Sequence, residues 1–279
     1  MPKSLSTFLE DCQREIPAEV IHVEPEVDPA HYDVSAIIKH LGAARKFPLL
    51  IFDRPRDLHG RISDFKLVMN FAISQRKSQI ALGLPKEMGR AQMAEACVDI
   101  ERNRVAPVVV ENHEAPVMEN VKSGDAVDLY ELPIMRHHYM DGGPYITLCT
   151  IAKDRRQGIY NASYHRMEIK SKNTTTHYHS QHHQWLIFRD YEDQGLECPV
   201  ATVLGHHPAF YMGACYTGPF EVSEYDIMGA YLREPLRVTP STTWGNELLI
   251  PADAEIVIEG ALIPNKRMVD GPFGEAPGY

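Results

Sequence analysis

The longest dense run of apolar residues in this sequence spans only 47–52, and this shortness is the strongest constraint on the fold. A helix that crosses a membrane needs about 20 consecutive, mostly apolar residues, whereas so short a run suits one buried strand. The chain must therefore build its core from many short helices and strands. We expect no integral membrane segment. We also expect no secretory signal, because Glu10, Asp11 and Glu15 interrupt the start of the chain.

The first ~115 residues alternate amphipathic stretches with short apolar runs, which predicts an α/β region. The predicted helices are 3–15, 33–41 and 85–102, with Pro85 in the first turn of the third, and the predicted strands are 47–52 and 105–110.

Beyond residue 115 the pattern favours strands. Two strand-like runs, 146–152 and 159–169, are joined by a charged turn that ends in Gly158, which predicts a hairpin. Further strands are predicted at 200–204 and 255–263, and helices at 178–191 and 224–232, the second with Ser223 and Asp226 in a capping-box arrangement. We therefore expect two domains, 1–115 and 116–279, the second mostly antiparallel.

Charge and cysteine content exclude several classes of protein. The net charge of −10 argues against a general nucleic-acid binder, which needs a basic surface. The five cysteines are irregularly spaced and contain no CxxC pair, so we expect reduced thiols and a cytoplasmic location.

Histidine is enriched, with 14 in the chain and a dense tract at 176–185. His179 and His183 have the i,i+4 spacing of two metal ligands on one helix, but the tract lacks the Glu of an HExxH zinc hydrolase. His177 is predicted at a helix start, where the helix dipole favours the neutral imidazole that ligates metals. A surface or packing role for each histidine stays open.

Two further groups could carry chemistry. If 159–169 is a strand, Asn161, Ser163 and His165 share one face, while Arg166 lies on the other and needs a partner where it is buried. Asp270 and Glu275 lie five residues apart on a Gly/Pro-rich loop. Near an Arg, one carboxylate would stay ionised while the other holds a proton for transfer. The alternatives are an exposed Arg and a solvated acidic turn.

Seven stretches together resemble the UbiD family of prenylated-flavin-dependent decarboxylases, in order over most of residues 120–279. They are LPIMRHH (132–138), DGGPYIT (141–147), Asn161-x-Ser-x-x-Arg166, PVATVLG (199–205), Val222-Ser-Glu224, PADAEIVIEG (251–260) and GPFGE (271–275). The resemblance implies that the α/β region is followed by a split β-barrel like that of flavin reductases, and then by a C-terminal domain.

The resemblance also implies a cofactor, prenylated FMN, whose phosphate is held through Mn²⁺ (or Mg²⁺) beside K⁺. Carried over by motif, the metal ligands are Asn161, His177 and Glu224. The cofactor contacts are Asn161, Ser163, His165, Arg166 and Gln181.

The same resemblance implies the catalytic set Arg166, Asp270 and Glu275. Arg166 would bind the substrate carboxylate and pair with Asp270, and Glu275 would donate the proton. Asp270 stands where many relatives carry Glu and is one methylene shorter. The implied reaction is the reversible, non-oxidative decarboxylation of an aromatic or α,β-unsaturated carboxylic acid.

Implied partners are a flavin prenyltransferase that supplies the cofactor and either further copies of this chain or a chain with the C-terminal domain. Relatives run some 200 residues beyond residue 279, so we expect the sequence to be part of a longer protein or one subunit of a complex. The alternative function is a non-catalytic flavin- or partner-binding subunit.

Overall fold

The structure is a computed structural model that describes residues 1–275. Its first half alternates helices and short strands, as predicted. The elements are α1 (Leu5–Glu15), β1 (Val20–Val23), α2 (Asp33–Ala43), β2 (Leu49–Phe52), β3 (Leu67–Met69), α3 (Gln75–Leu82), α4 (Arg90–Arg102) and β4 (Val108–Val109).

Strands β1, β2 and β3 form a mixed sheet in which β1 is parallel and β3 antiparallel to the central strand. The prediction of one helix over 85–102 is wrong in its first turn. Gly83 adopts a positive φ of 60° and ends α3, and α4 begins only after Gly89, so Pro85 lies in the loop between two helices.

The second half is richer in strands. Its elements are β5 (Tyr145–Ile146), β6 (Cys149–Lys153), β7 (Tyr160–Tyr164), β8 (Met167–Ser171), β9 (Thr174–Thr175), α5 (His183–Glu192), β10 (Cys198–Leu204), α6 (Pro208–Gly213), α7 (Glu224–Leu232), β11 (Arg237–Ser241), β12 (Gly245–Pro251) and β13 (Ile256–Leu262). They form the sheets β13-β10-β6-β7, β5-β8-β9 and, with β4, β12-β11-β4.

The predicted hairpin is confirmed, with β6 and β7 antiparallel and Cys149 opposite Tyr164. The helix predicted at 178–191 is wrong at its start, because the chain stays extended after β9 and Tyr178 donates its backbone N–H to the Arg166 carbonyl at 3.2 Å. The bounds of α7 are confirmed. The prediction of a capping box at its start is wrong: Ser223 makes no side-chain capping bond, and the Asp226 side chain is one methylene shorter than Glu.

The main core lies between the four-stranded sheet and helices α6 and α7. Helix α7 is almost wholly buried, and it approaches the chain near Val105 so closely that a Cβ on Gly229 would lie 2.3 Å from the Val105 carbonyl oxygen. This packing fixes Glu224, the first residue of α7.

Across residues 1–275 the strands form separate mixed or antiparallel sheets with no closed barrel, so the split barrel stays a prediction. The division at residue 115 also stays a prediction, and the last four residues of the second domain lie outside the described residues. Over the same range, every helix is too short or too polar to cross a bilayer.

Candidate active site

Arg166 lies in the two-residue break between β7 and β8 and pairs with two acids from the far end of the chain. Its Nε donates to Asp270 Oδ2 at 2.9 Å, and its Nη1 donates to Glu275 Oε1 at 2.8 Å. Burial lowers the pKa of Arg166, but the bonds to both carboxylates outweigh burial and leave the pKa above its ordinary value. The two acids differ in exposure, since the side chain of Asp270 is 12% exposed and that of Glu275 is 57% exposed.

Two aromatic rings cover the guanidinium of Arg166. Its Cζ lies 4.2 Å from the Tyr178 ring centroid and 5.3 Å from that of Phe273. Such cation–π contacts hold a planar guanidinium in one orientation. The guanidinium of Arg166 is therefore preorganised to bind a carboxylate.

Hydrogen bonds with three other side chains anchor the loop that carries both acids. The Thr176 hydroxyl donates to Asp270 Oδ1 at 2.6 Å. The Gly271 N–H donates to Glu168 Oε2 at 3.2 Å, and the Gly274 N–H donates to Asp141 Oδ1 at 2.8 Å. Asp270 thus has both oxygens bonded, one to Arg166 and the other to Thr176.

The DGGP stretch gives room for this loop. A Cβ on Gly142 would lie 2.9 Å from both Glu168 Oε1 and the Gly271 carbonyl oxygen, closer than real Cβ contacts. Its N–H donates to the Pro272 carbonyl at 2.8 Å. Only glycine lets these segments approach so closely.

Asn161, Ser163 and His165 share one face, as the strand pattern predicted. The Ser163 hydroxyl lies 3.3 Å from Asn161 Oδ1, 2.8 Å from His165 Nε2 and 3.3 Å from Gln184 Oε1. The third of these partners, Gln184, is buried on the first turn of α5. A polar row thus runs from β7 to α5.

Glu224 meets this row at Asn161. Its side chain is only 3% exposed. Burial raises the pKa of Glu224 to about 7, although hydrogen bonds from backbone N–H groups and from the Asn161 side chain act in the opposite direction. A buried carboxylate beside an amide oxygen suits a hard divalent cation, which would supply the missing positive charge.

His165, His177 and His179 form a compact group, here called the histidine cluster. Their potential ligand atoms all lie within 4.8 Å of one another. Burial lowers the pKa of His165, takes that of His177 well below its ordinary value, and lowers that of His179 to about 4, with repulsion between the rings adding to the last two. All three are therefore neutral near pH 7.

The structure brings some predicted site residues together and separates others. Arg166, Asp270 and Glu275 are in direct contact, and so are Asn161 and Glu224. His177 is neutral because of burial, and the helix-dipole argument for it is wrong because α5 begins six residues later. For the same reason His179 and His183 do not share a helix face. Gln181 is exposed in the loop before α5.

Sequence reasoning gave no role to several residues that shape the site. Thr176, Glu168 and Asp141 hold the acidic loop, Tyr178 covers Arg166, and Gln184 bonds Ser163. The role of Glu168 could have been inferred from the sequence, since a Glu between Met167 and Ile169 in a buried strand must have polar partners. It accepts bonds from the Tyr145 hydroxyl at 3.0 Å and from Lys170 at 2.7 Å.

Comparisons with known protein families match nearly the whole chain. Residues 12–97 match the 3-octaprenyl-4-hydroxybenzoate carboxy-lyase N-terminal domain, and residues 108–279 match the Rift-related domain of the same carboxy-lyase.

Among curated relatives, a phenolic acid decarboxylase from Streptomyces sp. (strain D7) is 29% identical in an alignment of 283 positions that covers 99% of this chain and 57% of the relative. One from Bacillus subtilis (strain 168) is 31% identical over 243 residues, 84% of this chain and 49% of the relative. The chain thus spans about half the length of these relatives.

Among solved structures, the UbiD-class enzyme HmfF from Pelotomaculum thermopropionicum, in complex with prFMN, has a TM-score of 0.89 and 31% identity, over 99% of this chain and 61% of that one. The closed form of vanillic acid decarboxylase from Sedimentibacter hydroxybenzoicus has a TM-score of 0.90 and 26% identity, over 100% of this chain and 59% of that one.

Proposed function

This chain belongs to the UbiD family, and from that premise we propose that it forms the catalytic, flavin-binding part of a reversible, non-oxidative decarboxylase. The substrate class is aromatic or α,β-unsaturated carboxylic acids. The observation that carries the proposal is Arg166, which pairs with the buried Asp270 and the exposed Glu275 on one anchored loop. A protein that only binds a flavin has no need of two acids on one arginine.

The proposed cofactor is prenylated FMN, which supplies the electron sink for loss of CO₂ when it is bound. Its phosphate would be held through Mn²⁺ or Mg²⁺ by Asn161, His177 and Glu224, with K⁺ beside it. In support, Glu224 is buried and bonded to Asn161, and oxygen donors suit these cations. Ser163, His165, Arg166 and Gln181 remain the proposed flavin contacts.

Arg166 would orient the substrate by binding its carboxylate. Its Nη1 now bonds Glu275, whose side chain is more than half exposed. A substrate carboxylate that binds Arg166 would displace Glu275 from the guanidinium. Glu275 would then protonate the carbon from which CO₂ leaves.

Asp270 has the complementary role. Because it accepts from both Arg166 and Thr176, it would hold the guanidinium in place while Glu275 moves. Two carboxylates of different exposure thus take different roles on one loop.

We propose four further features of the protein. They are the split-barrel arrangement of the second domain, the division at residue 115, a cytoplasmic location, and cofactor supply by a flavin prenyltransferase. Because the relatives are longer, we also propose that further residues or another chain complete the substrate pocket. The protein would then act as a homo-oligomer or in a complex with that chain.

The test is to co-express the protein with a flavin prenyltransferase, record the flavin absorbance, and measure CO₂ release from a panel of phenolic, heteroaromatic and acrylic acids. We expect release from at least one class, and we expect Arg166→Ala to abolish it while the flavin stays bound. Turnover that survives Arg166→Ala would overturn the mechanism. Flavin binding without CO₂ release, also after addition of a chain carrying the C-terminal domain, would favour the non-catalytic subunit.

A further inference from the structure

Four buried ring nitrogens in the histidine cluster, both on His177 and both on His179, have no hydrogen-bond partner within residues 1–275. Buried polar atoms nearly always have one, so imidazoles without a partner point to a ligand. His165 completes the group at metal-ligand spacing. Among residues 1–275, no second set of three His, Cys, Asp or Glu side chains meets the same spacing.

We propose that His165, His177 and His179 bind a borderline divalent cation, such as Zn²⁺ or Co²⁺, at a site separate from the cation of the proposed flavin site. Imidazole is a preferred donor for these metals, whereas Mn²⁺ and Mg²⁺ favour oxygen. The family resemblance assigns His177 to the flavin-side cation, whereas its place in the cluster assigns it to this site instead, so the flavin-side cation would keep Asn161 and Glu224. His165 is also a proposed flavin contact, but metal binding by the three imidazoles can be measured in flavin-free protein, so the inference does not depend on decarboxylase activity.

His165 already has the hydrogen bond that a metal-ligating histidine makes. Its Nδ1 lies 3.1 Å from the Tyr178 carbonyl, which can only accept, so Nδ1 carries the proton and Nε2 carries the lone pair. The Ser163 hydroxyl now bonds that Nε2, but Asn161 Oδ1 lies within its reach as an alternative acceptor. Nε2 is therefore available to a metal.

Ring packing keeps the other two imidazoles close. The rings of His177 and His179 lie 4.4 Å apart between centroids at an angle of 20°, and the outer face of His179 stacks on Phe188 at 5.5 Å. Ligand nitrogens around tetrahedral Zn²⁺ lie about 3.4 Å apart, given Zn–N bonds of about 2.05 Å. Small side-chain rotations bring a group already within 4.8 Å to that spacing.

The charged side chains around the cluster are also compatible with a bound cation. The fixed charges that act on His179 are Arg267 and Glu192. These two residues pair with each other through contacts of 2.7 and 2.8 Å, so the positive charge of Arg267 is largely compensated.

The position of the site indicates what the cation would do. In the extended segment after β9, alternate side chains face opposite sides. His177 and His179 face the cluster, while Thr176 bonds Asp270 and Tyr178 covers Arg166. A cation on the histidine face would therefore fix the segment that holds the Arg166–Asp270 pair.

The test is a Co²⁺ and Zn²⁺ titration of metal-free, flavin-free protein, followed by the visible Co²⁺ spectrum and by calorimetry. We expect one tight site per chain with the intense bands of a low-symmetry, nitrogen-rich site, lost in His165→Ala and His179→Ala. His31→Ala removes an exposed histidine and Glu224→Gln alters the flavin-side pair, and both should keep the site. His179→Cys should restore binding and add a thiolate-to-cobalt charge-transfer band, which a merely unfolded variant cannot show.

Retained Co²⁺ binding in His165→Ala and His179→Ala would overturn the inference, and so would loss of binding in Glu224→Gln with an unchanged melting curve. The latter result would place a single cation at the oxygen donors. Neither result depends on turnover, so failure of this inference and failure of the proposed decarboxylase are distinguishable.

Discussion

Thr176 donates its hydroxyl proton to Asp270 Oδ1 at 2.6 Å, on the side of the carboxylate opposite to Arg166. The same oxygen of Thr176 accepts the Glu168 backbone N–H at 2.9 Å. One buried hydroxyl thus ties the acidic loop to β8. The orientation of Asp270 is set by the sheet as well as by its salt bridge.

Thr176→Val should therefore lower stability by about 1–3 kcal/mol, because it removes one hydrogen bond to a charged group and leaves the Glu168 N–H without a partner. The measurement is the free energy of unfolding in urea. Thr175→Val is the matched control, since it makes the same change one residue earlier, on the other face of the strand. Equal stabilities for the two variants would contradict this account.

Glu275→Gln should lower kcat for decarboxylation about 10²–10⁴-fold, because an amide cannot donate the proton that a general acid supplies. The flavin spectrum should be unchanged. Glu247→Gln removes a charge from an exposed position on β12 and should leave kcat as it is. A kcat for Glu275→Gln within a few-fold of the unsubstituted protein would exclude Glu275 as the proton donor.

Gly229→Ala should destabilise the protein by about 1–3 kcal/mol, the usual cost of overpacking a buried contact. The new methyl group would meet the Val105 carbonyl oxygen at 2.3 Å and push α7 outward. Gly260→Ala is the control, because a Cβ there has no heavy atom within 4 Å. Thermal melting of both variants distinguishes the contact from a general effect of replacing glycine, and an unchanged Gly229→Ala would show that α7 is not so tightly packed.

His206 gives stability a defined pH dependence. Burial, with a smaller effect of His207, lowers its pKa from 6.5 to about 3. The unfolded chain therefore takes up a proton between these values that the folded protein does not. The contribution of His206 is complete above pH 6.5 and is lost as the pH falls, by up to about 1.4 kcal/mol per pH unit.

The His207 backbone N–H donates to His206 Nδ1 at 2.8 Å. In His206→Asn the new side chain still offers an acceptor for this bond, but it cannot titrate. Between pH 6.5 and about 5 the variant should lose about 1–2 kcal/mol less stability than the unsubstituted protein. Urea unfolding at a series of pH values measures this difference. His31→Asn, at an exposed position, should show no such change, and parallel curves for His206→Asn would refute the assignment.

Local sequence was sufficient where a short-range rule decides the structure. The bounds of α7 and the β6–β7 hairpin follow from periodicity and a charged turn, and the shared face of Asn161, Ser163 and His165 follows from strand alternation. The order of the seven family motifs identified the family without a structure.

Where tertiary contacts compete with local preference, the sequence failed. The tract 178–182 has helical spacing, but the bond from Tyr178 to the Arg166 carbonyl and the packing of His177 against His165 keep it from forming a helix. That change moved His179 away from His183 and into the cluster with His165.

The sequence by itself determined the family, the alternation of elements and the residue types that the chemistry needs. Only the tertiary structure decided which of those residues meet. Arg166 lies 104 residues from Asp270 and 109 from Glu275, and no local periodicity reports on contacts across such distances. Folding brings them together because Thr176, Glu168 and Asp141 fix the acidic loop through bonds that exist only once the sheets have formed.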